Sequence, residues 1–104
     1  VVFEIDPRIR KTILTISQKE NLNIEVKDYD LRKPLLKNYL HSFDIVFTDP
    51  PYTQKGISVF LNKAIRLLKK EYCSRIYLCY GNSQRARERE VKIQQLVAEK
   101  GLLI

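Results

Sequence analysis

Cysteine and histidine are scarce in this sequence: its 104 residues include two cysteines, Cys73 and Cys79, and one histidine, His41. Disulfide-stapled secreted scaffolds are far denser in cysteine, and a metal centre needs more ligands than these three side chains offer. Both thiols are expected to be reduced, with Cys79, inside an apolar strand, a small core residue. Long apolar runs are missing too. None approaches the roughly 20 residues needed to cross a bilayer, and the start, Val1-Val2-Phe3-Glu4, lacks the basic stretch and cleavage site of a secretory leader. These absences predict a cytoplasmic protein with no membrane partner and no metal.

Charge and evenly spaced apolar residues are present instead. Hydrophobic residues make up 44% and charged residues 30%, with 19 Lys and Arg against 12 Asp and Glu, a net charge of +7. The length suits one small domain. Lys11, Lys19, Lys63, Arg66, Lys69 and Lys70 fall on helical segments, mostly on polar faces. A denser stretch, Arg85, Arg87, Arg89 and Lys92, is interleaved with Glu88 and Glu90. It reads as a solvated helix face, with a contact for phosphate or an acidic partner as the alternative.

Strand and helix signals alternate. Residues 1–5 form a short apolar run suited to a buried parallel strand. Asp6 can cap the following helix and Pro7 fits its first position, with Ile9, Ile13 and Ile16 at helical spacing. After a break at residues 21–23, Ile24 and Val26 begin a second strand, and residues 31–34 form a loop because Pro34 discourages helix before it. Residues 43–48 are the clearest strand and stop at two prolines. Ile57, Phe60, Leu61, Ala64, Leu67 and Leu68 mark the clearest helix. Residues 75–80 predict another strand, ended at residues 81–83. Ser83 is a candidate cap for a last helix with Val91, Leu96 and Val97 inward. Gly101 ends that helix, and residues 102–104 are expected to start one more strand. The order predicts an α/β fold with a mostly parallel sheet, flanking helices and right-handed crossovers. The expectation is part of a single domain, with flanking sequence outside residues 1–104.

Each of the first three strands ends in acid: Glu4 and Asp6, then Asp28 and Asp30, then Asp49. Ligands of parallel α/β sheets bind beyond the carboxyl ends of the strands. An acid after the first strand can take the hydroxyls of a ribose, one after the second can accept the amine of adenine, and Asp49 can hold a reacting group. Helix capping is the plainer account of Asp6. In Asp49-Pro50-Pro51-Tyr52 the prolines stiffen an extended turn, so a carboxylate and fixed carbonyls can orient an amine and take its proton. Tyr52 adds an aromatic face and a hydroxyl.

These residues resemble class I S-adenosylmethionine-dependent transferases, in which an Asn/Asp-Pro-Pro-Tyr motif holds the nitrogen to be methylated. A longer series resembles the branched-chain polyamine synthases, the bis(aminopropyl)spermidine synthases. It comprises Phe3-Glu4-Ile5-Asp6, Asp30-Leu31-Arg32-Lys33-Pro34-Leu35, residues 43–51 and the Phe60-Leu61 and Leu67-Leu68-Lys69 helix. The resemblance implies a Rossmann-like class I methyltransferase fold. It also implies transfer of an aminopropyl group from decarboxylated S-adenosylmethionine to a polyamine such as spermidine, without a metal. By it, Glu4, Asp6, Asp30 and Leu31 bind the cofactor. Asp49, Pro50, Pro51 and Tyr52 bind the substrate, and Asp49 and Tyr52 are catalytic. The family's glycine-rich cofactor loop and winged-helix-like domain are expected before residue 1. Tyr52, where some members carry Glu, keeps a second reading open: an amino methyltransferase using S-adenosylmethionine on nucleic acid or protein. A non-catalytic binding module is a third. Self-association into a homo-oligomer is left open.

Overall fold

The computed structural model describes residues 1–81 and 87–104. The chain divides into two compact units, residues 1–34 and 35–104, each of α/β type with one parallel strand pair. Among the described residues no helix is long and apolar enough to cross a membrane.

The first unit is a β-α-β element: β1 (Val2–Glu4), α1 (Pro7–Lys19) and β2 (Val26–Asp28). The strands run parallel in the register Val2↔Val26, Phe3↔Lys27 and Glu4↔Asp28. Asp6 caps α1 as expected, its side chain accepting from the Arg8 N–H, with Pro7 opening the helix. The helix ends where Asn21 takes φ 53° and the Leu22 N–H donates to the Ser17 carbonyl at 2.8 Å. That is a left-handed stop with asparagine in the usual glycine place. Of the isoleucines at helical spacing, Ile9 and Ile16 are about half exposed, and Ser17 is the buried residue of the helix. The Ser17 hydroxyl satisfies itself on the Leu22 carbonyl at 2.6 Å, which makes its burial tolerable.

The second unit holds a short 3-10 turn (Lys37–Tyr39), β3 (Ile45–Thr48), α2 (Gln54–Leu67), β4 (Arg75–Leu78) and α3 (Arg87–Glu99). β3 and β4 are parallel from Ile45↔Arg75 to Thr48↔Leu78, and an isolated bridge pairs Phe43 with Leu68. Thr53 caps α2 by accepting from the Gly56 N–H. Ile57 and Leu61 of α2 meet Ile93 and Val97 of α3 in the core, with Ile76, Leu78, Tyr80, Leu96 and Leu102 packed around them. Each fully buried Leu or Ile contributes about 1.5–3 kcal/mol, so this cluster anchors the unit.

Strand alternation explains which expectations fail. Val46, Thr48, Ile76 and Leu78 are the more covered residues of the pair, while Ile45, Phe47, Arg75 and Tyr77 are exposed. Cys79 continues the Arg75–Tyr77 phase and is an exposed free thiol, not a core residue. The helix-facing apolar set of α3 is Ile93 and Val97 with Leu96, and Val91 points outward. Gly101 does end α3, at φ 72°, with the Leu102 N–H donating to the Val97 carbonyl at 3.2 Å. No strand forms over residues 102–104: Leu103 and Ile104 are almost fully exposed and have no ladder to join among the described residues. Ser83 and Arg85 lie outside the described residues.

Candidate functional site

In the first unit the parallel register delivers Glu4 and Asp28 to the same edge, with Asp6 and Asp30 just beyond them. The four acids are not bare. Glu4 Oε1 accepts from the Asp6 N–H at 2.8 Å, folding the chain into α1. Asp6 holds the Arg8 N–H at 2.8 Å and the Arg8 guanidinium at 3.1 and 2.6 Å. Asp30 repeats that motif with Arg32, through its N–H at 2.9 Å and guanidinium contacts of 2.8 to 3.1 Å. Arg10 donates to the carbonyls of Glu4 (3.0 Å) and Ile5 (2.7 Å) and to Asp28 (3.0 Å), clasping the end of β1 to β2. The Arg32 side-chain hydrogen bond holds the Asp30 carboxyl at a pKa of about 2, and Arg8 lowers that of Asp6 in the same way.

The loop after β2 is tightly made. The Lys33 N–H donates to the Asp30 carbonyl at 2.9 Å, closing a turn whose side-chain half is the Asp30–Arg32 bond. Tyr29 is buried, packs edge-on against Phe3 (5.4 Å between centroids) and donates to the Lys33 carbonyl at 2.6 Å. Leu31 is half-buried at the tip of this turn. An ionised carboxylate has about four acceptor positions, and the Arg32 backbone and guanidinium contacts engage each Asp30 oxygen twice.

In the second unit Asp49 directly follows the last rung of the β3 ladder, where the Cys79 N–H reaches the Thr48 carbonyl at 2.8 Å. Its carboxylate is exposed and has no hydrogen bond or ion pair among the described residues. Pro50 is buried and Pro51 exposed. The Pro51 carbonyl accepts from Thr53 N–H at 2.7 Å, so the turn folds straight into the capped start of α2. A Cβ at Gly56 would lie 2.9 Å from the Pro51 carbonyl oxygen and 2.9 Å from Thr53 Oγ1, so this close approach requires glycine. Tyr52 is half exposed, and its ring meets Tyr80 edge-on at 5.2 Å.

The structure therefore groups Glu4, Asp6, Asp30 and Leu31 at one edge of the first unit, and Asp49 to Tyr52 at the carboxyl edge of the second. Sequence reasoning missed Arg8, Arg10, Arg32, Tyr29, Gly56 and Tyr80. The twofold Asp-x-Arg spacing was the available signal for Arg8 and Arg32. Among the described residues no group of three His, Cys, Asp or Glu side chains could hold a metal.

Residues 1–104 match the family described as the branched-chain polyamine synthase A C-terminal domain. An uncharacterized protein of Methanocaldococcus jannaschii is 39% identical over 103 residues, 99% of this chain and 25% of that protein. The N(4)-bis(aminopropyl)spermidine synthase of the same organism is 42% identical over 72 residues, 68% of this chain and 21% of the enzyme. A crystal structure of the branched-chain polyamine synthase of Thermus thermophilus, in complex with N4-aminopropylspermidine and 5'-methylthioadenosine, superimposes with a TM-score of 0.81 at 28% identity. It covers 94% of this chain and 28% of that one. The chain thus spans about a quarter of the length of the relatives it matches. With the whole of its length matched and its strands and helices shared with a solved member, the chain belongs to the branched-chain polyamine synthase family, in the region of that family's C-terminal domain.

Proposed function

We propose that the chain is part of an aminopropyltransferase of class I methyltransferase-like Rossmann fold, which moves an aminopropyl group from decarboxylated S-adenosylmethionine to an amine of a polyamine such as spermidine. The observation that carries this reading is the Asp49 carboxylate. Of the five acids at the strand ends, Glu4, Asp6, Asp28 and Asp30 each accept a bond from within the chain, while Asp49 has no such partner among the described residues. It sits on a proline-stiffened turn and is available to an incoming amine. The related Thermus enzyme binds N4-aminopropylspermidine and 5'-methylthioadenosine. The second is the thioether left when decarboxylated S-adenosylmethionine gives up its aminopropyl group.

In the step proposed, the amine lone pair attacks the propyl carbon attached to the sulfonium. The N–C bond forms as the C–S bond breaks, and the electron pair leaves on sulfur as a neutral thioether. The new ammonium passes its proton to Asp49. Positioning and an acceptor for that proton are the main demands on the protein. Glu4 would take the ribose hydroxyls, Asp30 and Leu31 the adenine, and Asp6 would support the turn after Glu4. Pro50, Pro51 and Tyr52 would line the amine's place. Cys73 and Cys79, both free and exposed, suit a cytoplasmic setting in which thiols stay reduced.

The test supplies the full-length protein with spermidine and decarboxylated S-adenosylmethionine, and separately nucleic acid with S-adenosylmethionine. Branched polyamine in the first mixture is expected. Methylated product in the second mixture alone sinks the reading. Asp49→Asn is expected to lower turnover by about 10²–10⁴-fold with an unchanged melting transition.

A further inference from the structure

Tyr80 follows β4 much as Asp49 follows β3, and the parallel register ending at Thr48↔Leu78 brings both to one edge of the same sheet. Tyr80 is half-buried and packs against the Ile57, Leu61, Ile93 and Val97 core, whereas Tyr52 stands half exposed above the turn. Their rings meet at 5.2 Å and 69°, the edge-to-face geometry that aromatic quadrupoles favour. Gly81 lies against the Tyr52 ring: a Cβ placed on it would sit 3.4 Å from Cε2 and 3.6 Å from the hydroxyl. The two rings also share, with Ile57, Ile93, Arg89 and Lys92, the wall of a cavity of about 150 Å³. Tyr52 itself makes no hydrogen bond among the described residues to fix its ring.

We infer that Tyr80 is a positioning residue, its core-anchored ring fixing the Tyr52 ring beside Asp49. The inference rests on the reading of the Asp49–Tyr52 turn as the amine-binding element. Tyr80 touches no reacting atom in this scheme, so its effect passes entirely through Tyr52. Loss of the contact leaves Tyr52 free to sample other rotamers, and the amine meets a less ordered wall.

The experiment uses the full-length protein with spermidine and decarboxylated S-adenosylmethionine. Tyr80→Phe, which keeps the ring, is expected to retain wild-type kcat/KM. Tyr80→Leu is expected to lower it between about twofold and tenfold. In a Tyr52→Ala background Tyr80→Leu should have no further effect, because the partner it acts through is gone. The ring is also followed directly by fluorine NMR with 3-fluorotyrosine at position 52, where Tyr80→Leu should shift and narrow the signal. Additive losses in the double variant, or a fluorine signal unmoved by Tyr80→Leu, overturn the proposal. The fluorine measurement needs no turnover, so an inactive wild-type protein would count against the transferase reading while leaving Tyr80 to be decided by the spectrum.

Discussion

Two arginines, each two residues after an aspartate, set how much negative charge the first unit presents. Arg8 closes on Asp6 and Arg32 on Asp30, each through backbone and side chain together. Such exposed pairs add little to stability, but they orient the carboxylates and keep them ionised. Removing the guanidinium should release that hold. In Arg32→Ala the Asp30 pKa is expected to rise from about 2 toward its ordinary value of 3.8, read by carboxyl carbon NMR; an unchanged value would mean that the turn's backbone alone sets it. The acids themselves were legible in the sequence, because they end apolar runs. Their partners were not, because a bond between neighbours two apart depends on the turn's backbone, which letters do not show. Cys79 was misread for a related reason: a short apolar run does not reveal which strand face is covered.

At the scale of elements, the Asp49–Tyr52 turn and α2 are one folded piece. Thr53 caps the helix on the Gly56 N–H at 3.0 Å, and Gly56 lets that first turn press on the Pro51 carbonyl. Two effects of Gly56→Ala compete. Alanine favours helix by about 1 kcal/mol, but its methyl would meet a backbone oxygen and the cap at 2.9 Å. Overpacking of this kind costs about 1–3 kcal/mol, so a lower urea midpoint and lost transfer activity are expected. A stabilised, active Gly56→Ala protein would show the approach to be looser than drawn. Periodicity was enough to find α1, α2 and the strand before the prolines. It placed Val91 on the covered face of the last helix, whereas the structure leaves it exposed, since spacing tells which residues share a face but not what packs on it. The strand expected over residues 102–104 failed because pairing is a property of two segments, and here α3 ends in a left-handed glycine with no ladder to join among the described residues.

For the whole molecule, pH dependence follows from the shifted groups. Asp30 and Asp6 are held below the ordinary carboxyl value of 3.8. Their contribution is fully present above that value and is lost as pH falls through the folded pKa, about 2 for Asp30. Lys69 is shifted the other way, mainly by its bond to Asp44, so its contribution is present at neutral pH and is lost only as pH rises beyond 10.5. Acid also adds positive charge to a chain already at +7. The urea midpoint should therefore be flat near neutrality and fall between about pH 4 and pH 2, less steeply in Arg32→Ala. A midpoint that falls already near pH 6 would point to another titrating group. The open side of β3 and β4, where Phe47 stacks on Tyr77 at 4.6 Å, also carries the thiol of Cys79, one residue before Tyr80; the Cys79 backbone N–H donates to the Thr48 carbonyl at the end of β3, just before Asp49. With Cys73 changed to serine, a dye attached to the Cys79 thiol would be a built-in reporter, anchored one backbone hydrogen bond from the end of β3, whose brightness could announce each arrival and departure at that edge in real time.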